Sequence, residues 1–361
     1  METWERWRDA VEGEGLRFTA AEEYKTFPPP EPGSDTWRSA ADAALALAPL
    51  LDDFRPDVVV CDILTLAPAL AAERAGVRRA TLIPHMYPVH EPGLPFFAFG
   101  LQPPRTPVGR AVWRSALPVL ETGLRRGRRE MNETRAAVGL PPVEHFHGGI
   151  SPELALVATF PQLEYPRRWP KGVHITGPMQ FEVPHPDIRL PEGDAPLVLV
   201  APSTAQDPEL RLVRVALEAL ADEPVRVVAT TNRVGAASLP TAPANAVLVD
   251  WLSYSQIMPE ASLVICHGGH GTVARALAAG VPVLCCPHEG DMAENSARVA
   301  WAGVGLMLPW RLLASGPVRW ATRRMLADPG FASLAAKIAT WSADKPGSER
   351  GAELVAALRG G

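Results

Sequence analysis

Short apolar runs recur along the chain, separated by longer segments in which apolar residues follow helical spacing. The clearest runs are Val58–Cys61, Leu197–Ala201 and Leu263–Cys266, and each ends at a polar loop. Continuous apolar runs of this kind are typical of parallel strands that are buried on both faces. The alternation of such strands with helices therefore predicts an α/β fold with parallel sheets.

A proline-rich, charged segment divides this pattern into two halves. We expect a first domain over residues 1–176, a linker over 177–196, a second domain over 197–345 and a final helix over 346–361. Leu154–Ala158 reads as the last strand of the first domain. With 361 residues, the chain is long enough for two domains with separate cores.

The second half contains the most informative stretch. Leu263–Cys266 predicts a buried strand, residues 267–271 a glycine-rich turn, and Thr272–Ala279 a helix. Val281–Cys286 predicts a second strand, followed by the polar loop His288–Asp291. Because the carboxyl ends of parallel strands meet at one edge of a sheet, we expect the turn and the loop to be neighbours.

The glycine turn has the composition of an anion site. Gly268, Gly269 and Gly271 leave the backbone N–H groups at the helix start open to a ligand, and the helix dipole favours a negative charge there. Thr272 adds a hydroxyl. The alternative is that these glycines serve only a tight turn, and the turn alone leaves both readings open.

The surrounding residues resemble a known family. Trp251, followed by LSYSQIMPEASLVICHGGHGT, GVPVLCCP and GDMAEN, resembles the donor-binding signature of nucleotide-sugar glycosyltransferases with the GT-B fold, in their bacterial natural-product branch. Weaker similarity includes PDVVVCD at 56–62 and ITGP at 175–178. The resemblance implies two Rossmann-like doubly wound domains with a cleft between them, and a final helix that packs back on the first domain.

The same resemblance assigns roles to individual residues. Trp251 would stack on a pyrimidine, His267 would contact the diphosphate, and the loop from Gly290 to Met292 would contact sugar hydroxyls. Ser203 and Thr204 would donate to a phosphate, although either could instead cap a helix. The implied donor-binding set is Ser203, Thr204, Trp251, Leu252, His267, Gly268, Gly269, Gly271, Thr272, Glu289, Gly290, Asp291 and Met292.

Two positions depart from the commoner family pattern. Arg275 stands where many relatives have a glutamate that holds the ribose hydroxyls, and Met292 stands where many have a glutamine. The first departure favours a deoxythymidine-type donor, which lacks the 2′-hydroxyl, and the second favours a deoxygenated sugar. We therefore expect a UDP-sugar or a dTDP-sugar as the donor substrate.

The catalytic base is the main departure in the first domain. In the family it is a histidine in a loop after the first strand, but here Trp4, Trp7 and Val11 lie at helical spacing, and the chain is expected to open on a helix. We expect that about thirty residues of a strand–loop–helix start belong upstream, and that the first domain, as given, lacks its central strand.

Asp62 ends a predicted strand, in the place where the family has an aspartate that orients the base. Capping of a helix that begins near Thr65 is the alternative for this residue. Without the upstream histidine, Asp62 and His85 are the nearest candidates for the catalytic role. Residues 84–107, rich in proline and aromatic residues, would shape a pocket for an apolar acceptor or simply cover the sheet.

Composition excludes several other classes. The formal charge of −5 gives no basic footprint, so nucleic acid is not an expected partner. Cys61, Cys266, Cys285 and Cys286 all lie in apolar runs without a CxxC spacing, as expected for buried thiols in a reducing cytosol. The sequence has neither an eighteen-residue apolar run nor a signal pattern, so we expect a cytoplasmic protein without stable membrane insertion.

The leading hypothesis is an inverting glycosyltransferase that moves a sugar to a hydroxyl of a small apolar aglycone, without a metal or other cofactor and compatible with a homodimer. One alternative is a nucleotide-binding homologue with little transferase activity, and another is a GT-B-type sugar-nucleotide epimerase. A metal site is a further alternative, because ligand types share neighbouring loops at His267, His270, His288, Glu289 and Asp291.

Overall fold

Two parallel sheets organise the chain. The structure is a computed structural model that describes residues 1–21, 36–182, 188–203, 207–232 and 239–360. The strands are β1 (Glu2–Thr3), β2 (Thr19–Ala20), β3 (Val58–Asp62), β4 (Arg78–Ile83), β5 (Leu154–Val157), β6 (Val173–Ile175), β7 (Leu197–Ala201), β8 (Arg226–Thr230), β9 (Ala246–Val249), β10 (Leu263–Cys266), β11 (Val283–Cys285) and β12 (Gly305–Met307).

Helices cover these sheets. They are α1 (Arg8–Gly13), α2 (Thr36–Ala46), α3 (Ala48–Phe54), α4 (Leu66–Arg74), α5 (Pro107–Ser115), α6 (Leu117–Ala137), α7 (Arg211–Leu220), α8 (Tyr254–Ile257), α9 (His270–Ala278), α10 (Asp291–Trp301), α11 (Ser315–Ala327), α12 (Pro329–Asp344) and α13 (Gly347–Gly360). Within the described residues, no helix is both long enough and apolar enough to cross a membrane.

The second-half sheet has six parallel strands in the order β12-β11-β10-β7-β8-β9. All residues of β7, β10 and β11 are buried, because helices pack on both faces of the sheet. Strand order reverses between β7 and β10, whose pairing runs from Leu263 with Val198 to Cys266 with Ala201. In a doubly wound sheet, ligands bind beyond the carboxyl ends of the strands at this switch point.

The first-half sheet has four parallel strands in the order β3-β4-β5-β6. The prediction that β5 is the last strand of this half was wrong, because Val173–Ile175 pairs with it. Among the described residues, β3 pairs only with β4, while β1 and β2 form a separate parallel pair.

The predicted opening on a helix was also wrong. Glu2–Thr3 is a strand, because it pairs in parallel with Thr19–Ala20, and Thr19 N–H donates to the Met1 carbonyl at 2.9 Å. The helical spacing of the tryptophans produces only a 3₁₀ turn at Glu5–Trp7 and the short helix α1. A long-range pairing therefore overrides the local pattern.

The final helix lies against the first-half sheet. Leu354, Val355 and Leu358 of α13 pack with Ala80 and Leu156 of the strands. A second apolar cluster joins the halves, since buried side chains of both contribute to it: Met86, Phe160 and Leu163 from the first, and Leu252, Ile257 and Met258 among those from the second. The two halves thus share buried apolar surface.

Candidate functional site

A pocket of about 200 Å³ lies at the carboxyl ends of β7 and β10. It therefore occupies the switch point of the second sheet. Its walls come from the loops after β7, β8, β9 and β10 and from α8 and α9. They consist of Pro202, Asn232, Trp251, Tyr254, His267, Gly269, His270, Gly271, Thr272 and Arg275.

Neighbouring atoms lie so close to the glycine turn that they leave little room for side chains on Gly268 and Gly269. Gly268 has φ +86°, and a Cβ there would lie 2.4 Å from Ser296 Oγ and 2.9 Å from the Met292 carbonyl oxygen. A Cβ on Gly269 would lie 2.2 Å from His267 Nε2. Gly268 therefore requires glycine, because its φ is positive and α10 lies against it, whereas a Cβ on Gly269 would displace the imidazole that lies on the turn.

Helix α10 holds the turn from behind. Asn295 Nδ2 donates to the Gly268 carbonyl at 3.0 Å, and Ser296 Oγ donates to the Met292 carbonyl at 2.7 Å. Asn295 and Ser296 are both buried. With the turn fixed in this way, the leading N–H groups of α9, which begins at His270 with Gly269 as its N-cap, face the pocket.

His267 contributes a neutral ring. Burial lowers its pKa, and the Asp291 and Asp207 carboxylates, together with a weak contact to the Ala201 carbonyl at 3.5 Å, only partly oppose this. A neutral imidazole presents one N–H donor and one acceptor. With its single proton on Nε2, the tautomer that leaves the 3.5 Å contact of Nδ1 to the Ala201 carbonyl without a hydrogen bond, His267 can donate to an anion in the pocket.

The wall opposite the turn is a fixed polar network. Tyr254 O–H donates to Asn232 Oδ1 at 3.2 Å, and Asn232 Nδ2 donates to the Pro202 carbonyl at 2.8 Å. Burial raises the pKa of Tyr254 to about 12, so its hydroxyl stays protonated. Beside this network, Trp251 supplies the flat aromatic face of the pocket.

Arg275 completes the pocket wall, and its guanidinium offers hydrogen-bond donors but no acceptor. Its guanidinium donates to the Gly271 carbonyl at 3.3 Å and to the Phe181 carbonyl at 2.7 Å. Next to Phe181, the Glu182 carboxylate accepts from Ser253 Oγ at 2.9 Å and from Tyr254 N–H at 2.7 Å. The segment between the two halves therefore hydrogen-bonds to two residues of the pocket wall, Tyr254 and Arg275.

The remaining predicted donor residues are placed differently. Leu252 is 2% exposed and belongs to the core, so only its backbone is left for a ligand. Ser203 is buried near the rim, and Thr204 lies outside the described residues. In the second loop Glu289 and Asp291 are exposed, whereas Met292 is buried as α10 begins.

The candidate catalytic residues lie on the facing half. Asp62 ends β3, where its Oδ1 accepts from Leu64 N–H at 2.7 Å; this bond closes a turn ahead of α4 and does not cap the helix. Burial raises the Asp62 pKa, while that hydrogen bond and the nearby His85 partly lower it. His85 follows the neighbouring strand β4, and its Nδ1 lies 2.7 Å from the Met86 carbonyl.

His270 brings the two halves together at this point. Its Nε2 lies 3.0 Å from the Ala158 carbonyl, just beyond β5. Burial, with a smaller contribution from His85, lowers the pKa of His270 to about 4. Because His85 also acts on Asp62, it lies close to both residues. The structure thus gathers these three residues at the cleft, beside the glycine turn.

A metal site would need several ligand side chains that converge on one point. Among the described residues, no group of three or more His, Cys, Asp or Glu side chains is arranged to hold a metal ion. His288, one of the residues considered, lies instead against Trp310 with ring centroids 4.3 Å apart.

A larger depression lies at the opposite edge of the second sheet. It has a volume of about 690 Å³ and is lined in part by Pro224, Asn245 and Val247. Asn245 Nδ2 already donates to backbone carbonyls of Leu220 and Val225 there, each at 2.9 Å. Because the glycine turn and Trp251 line the smaller pocket and are absent from this lining, we assign the site to the smaller pocket.

Several site residues were not predicted. Asn232, Tyr254, Glu182 and Asn295 act through contacts between distant segments, which spacing along the chain does not reveal. Of these, Tyr254 and Asn295 lie in stretches that resemble the family signature, LSYSQIMPEASLVICHGGHGT and GDMAEN, but neither had a predicted role.

Comparisons with known proteins identify the family of this chain. Residues 214–358 match the family model described as erythromycin biosynthesis protein CIII-like, C-terminal domain. The chain is 32% identical over 311 residues to 4'-demethylrebeccamycin synthase of Lentzea aerocolonigenes, which covers 83% of this chain and 73% of that protein. The chain belongs to the glycosyltransferases of natural-product biosynthesis.

Solved structures show that this glycosyltransferase has the GT-B fold. The glycotransferase of kitacinnamycin superposes with a TM-score of 0.78 at 20% identity, covering 98% of this chain and 89% of that one. The spinosyn rhamnosyltransferase SpnG, complexed with thymidine diphosphate, gives a TM-score of 0.63 at 20% identity, covering 93% and 86% of the two chains.

Proposed function

We propose that this glycosyltransferase transfers a sugar, with inversion, from a nucleoside diphosphate sugar to a hydroxyl of a small apolar acceptor. The observation that carries the proposal is the pocket at the switch point, in which an indole face, the glycine turn, a neutral histidine and a helix N-terminus converge. It opens beside Asp62 and His85 of the facing half.

Each wall of the pocket suits one part of the donor. Trp251 can stack on the pyrimidine, an interaction worth roughly 1–3 kcal/mol for bases on aromatic side chains. The N-terminus of α9, the Thr272 hydroxyl and His267 can donate hydrogen bonds to the diphosphate. The exposed loop with Glu289 and Asp291 supplies carboxylates that can accept from sugar hydroxyls.

These donors also fit the leaving group. When the bond from the anomeric carbon to the diphosphate breaks, negative charge grows on the diphosphate oxygens. Fixed N–H donors and a helix N-terminus stabilise such charge without reorganisation. We propose that they act in place of a metal ion.

The acceptor needs a base at the moment of attack. As its oxygen bonds to the anomeric carbon, its proton must leave. If His85 Nδ1–H donates to the Met86 carbonyl, 2.7 Å away, then Nε2 keeps a lone pair for that proton. The Asp62 carboxylate nearby would stabilise the resulting imidazolium. We therefore propose His85 as the base and Asp62 as its electrostatic support.

The nucleotide is proposed to be of the dTDP type. Ribose differs from deoxyribose by a 2′-hydroxyl, which a site recognises best with a carboxylate acceptor. Arg275 offers donors only, and they are directed to the Gly271 and Phe181 carbonyls. The thymidine diphosphate bound to the spinosyn enzyme supports the same choice.

We place the reaction in the cytoplasm. The structure leaves Cys61, Cys266, Cys285 and Cys286 as free, buried thiols, which suits a reducing compartment.

Calorimetry and thermal unfolding with TDP and UDP test the donor site. A nucleotide at a hundred times its Kd should stabilise the folded chain by about 2.7 kcal/mol. W251A should weaken binding about tenfold or more, and W251F, which keeps a ring, should weaken it less. Absence of any heat or stabilisation with both nucleotides would overturn the assignment of the pocket.

Transfer is tested separately with dTDP-sugars and a panel of apolar phenols and alcohols. An α-linked donor should yield a β-linked glycoside, which the anomeric coupling constant in the NMR spectrum reports. Incubation of donor without acceptor is the control. An epimerised nucleotide sugar in that sample would favour epimerase activity over transfer.

A further inference from the structure

Three buried, charged side chains join the two halves of the molecule. Arg298 Nη1 lies 2.7 Å from Glu164 Oε2, and Arg298 Nε lies 2.8 Å from Glu294 Oε1. The side chains of Arg298, Glu164 and Glu294 are 5%, 2% and 3% exposed. Glu294 and Arg298 belong to α10, whereas Glu164 follows β5 in the first half. This is a Glu–Arg–Glu triad at the domain contact.

The second oxygen of each carboxylate accepts a hydrogen bond from residues 84–107, the segment that is expected to face the acceptor. Glu164 Oε1 accepts from Tyr87 N–H at 2.7 Å, and Glu294 Oε2 accepts from Ala98 N–H at 3.2 Å. Ala98 has φ +71°, in the left-handed region that alanine rarely adopts. The triad therefore holds residues 84–107 at two points, one of them in an unfavourable backbone conformation.

Packing adds a third contact between that segment and α10. Gly100 has φ +66°, and a Cβ there would lie 2.8 Å from Ala293 Cβ. No side chain fits between the two backbones at this point.

The same helix also supports the donor turn. Asn295 donates to the Gly268 carbonyl, and the Met292 carbonyl lies against Gly268. Along α10, Met292 and Asn295 thus meet the donor turn, while Ala293, Glu294 and Arg298 meet the acceptor segment and its support. One rigid helix contacts both.

We propose that Glu294 and Arg298 are positioning residues, which fix the acceptor segment relative to the donor turn. This inference rests on the proposed function. If the segment loosens, the acceptor hydroxyl is less well aligned with the anomeric carbon, while the donor remains bound. Water can then attack that carbon instead, giving free sugar, nucleoside diphosphate and a proton.

E294Q is the test variant. A glutamine has one oxygen and one NH₂ group, so it cannot accept from both Ala98 N–H and Arg298. E73Q is the matched control, because Glu73 pairs with the buried Arg135 at 2.6 Å inside the first half. G100A disturbs the packing of the same segment on α10, at Ala293, without altering a charge.

Hydrogen exchange gives a readout that needs no turnover. In E294Q and G100A, amides of residues 96–100 should exchange at least tenfold faster than in wild type, and those in E73Q should not. Unchanged exchange in both test variants would overturn the proposal, whether or not the wild-type chain transfers sugar.

Kinetics with a dTDP-sugar and acceptor complete the test. In E294Q and G100A, we expect acceptor KM and the hydrolysed fraction of donor to rise about tenfold, while the Kd for TDP stays within about twofold. E73Q should keep the wild-type values even if its melting temperature falls. If all three variants lose only thermal stability, the triad is structural. If amide exchange is faster in E294Q but the wild-type chain transfers no sugar, the result counts against the proposed function alone.

Discussion

The imidazole of His270 and the backbone of Ala158 meet across the cleft, with Nε2 3.0 Å from the carbonyl oxygen. His270 is the first residue of α9, and Ala158 follows β5 directly. A single hydrogen bond therefore ties the helix behind the glycine turn to the facing sheet. His270 Nδ1 is buried and has no hydrogen-bond partner among the described residues.

This contact predicts a pH dependence of stability. Burial lowers the pKa of His270 from 6.5 to about 4. Because the folded pKa lies below the unfolded one, the unfolded chain binds more protons in that window, and stability falls as the pH drops from 6.5 towards 4. The loss should be about 1–3 kcal/mol, since each unit of pKa is worth about 1.4 kcal/mol.

H270Q is the informative variant, because its amide can still donate to the Ala158 carbonyl but does not titrate. Urea unfolding of wild type and H270Q at pH 7 and pH 5 measures the difference. The variant should lose less stability than wild type on acidification. Equal losses would show that groups other than His270 cause the acid sensitivity.

His85 and Asp62 should control the chemical step. H85A is expected to lower kcat about 10²-fold to 10⁴-fold, the usual cost of removing a general base, while the Kd for nucleotide stays unchanged. H174Q, at an exposed histidine on β6, is the control and should keep wild-type activity. A fully active H85A would exclude His85 as the base.

The protonation of Asp62 should affect how activity depends on pH. Because burial raises its pKa, the carboxylate becomes protonated at higher pH than an exposed aspartate would, and activity should fall on the acid side as this support is lost. D62N should have low activity at every pH, and its profile should lack the part of the acid-side fall that Asp62 contributes. A D62N profile parallel to wild type would show that Asp62 is not involved.

Arg275 should determine the choice of nucleotide. R275E introduces an acceptor for the ribose hydroxyls, so UDP binding should gain relative to TDP by about threefold to tenfold, the worth of one hydrogen bond. R275A also breaks the contact to Phe181 but adds no acceptor, and it should weaken both nucleotides equally. Calorimetry with the two nucleotides gives the ratio, and an unchanged ratio in R275E would refute this role.

Gly268 and Gly271 should differ in how well they tolerate substitution by alanine, although both belong to the same turn. G268A places a Cβ 2.4 Å from Ser296 Oγ and 2.9 Å from the Met292 carbonyl, at a positive φ, so nucleotide binding should fall at least tenfold. In G271A the nearest atom is the flexible Arg275 Nη1 at 3.3 Å, and binding should change little. Titration of both variants with TDP provides the comparison.

The sequence predicted the parts of the fold that depend on local pattern. The strands β7 and β10 and the turn at 267–271 follow from apolar runs and glycine. The first turn of α9 begins at His270, two residues before the predicted start, because glycine and histidine gave no strong start signal.

The rest depends on contacts between residues far apart in the chain. Glu2–Thr3 is a strand only because Thr19–Ala20 lies beside it. The pairing of Glu164 with Arg298 joins positions 134 residues apart. Arg275 was recognised as a departure from the family pattern, but its bond to Phe181 depends on the path of the linker.

The lack of space between Gly268 and α10 limits how the enzyme can be re-engineered. Because the donor turn and the helix that follows the second loop fit together atom against atom, a graft of either loop alone from a relative would meet a mismatched partner. The natural unit for building chimaeras with altered sugar preference is therefore the whole segment from Leu263 to Trp301, transplanted together with the residues that meet Ala293 and Glu294 on the other side.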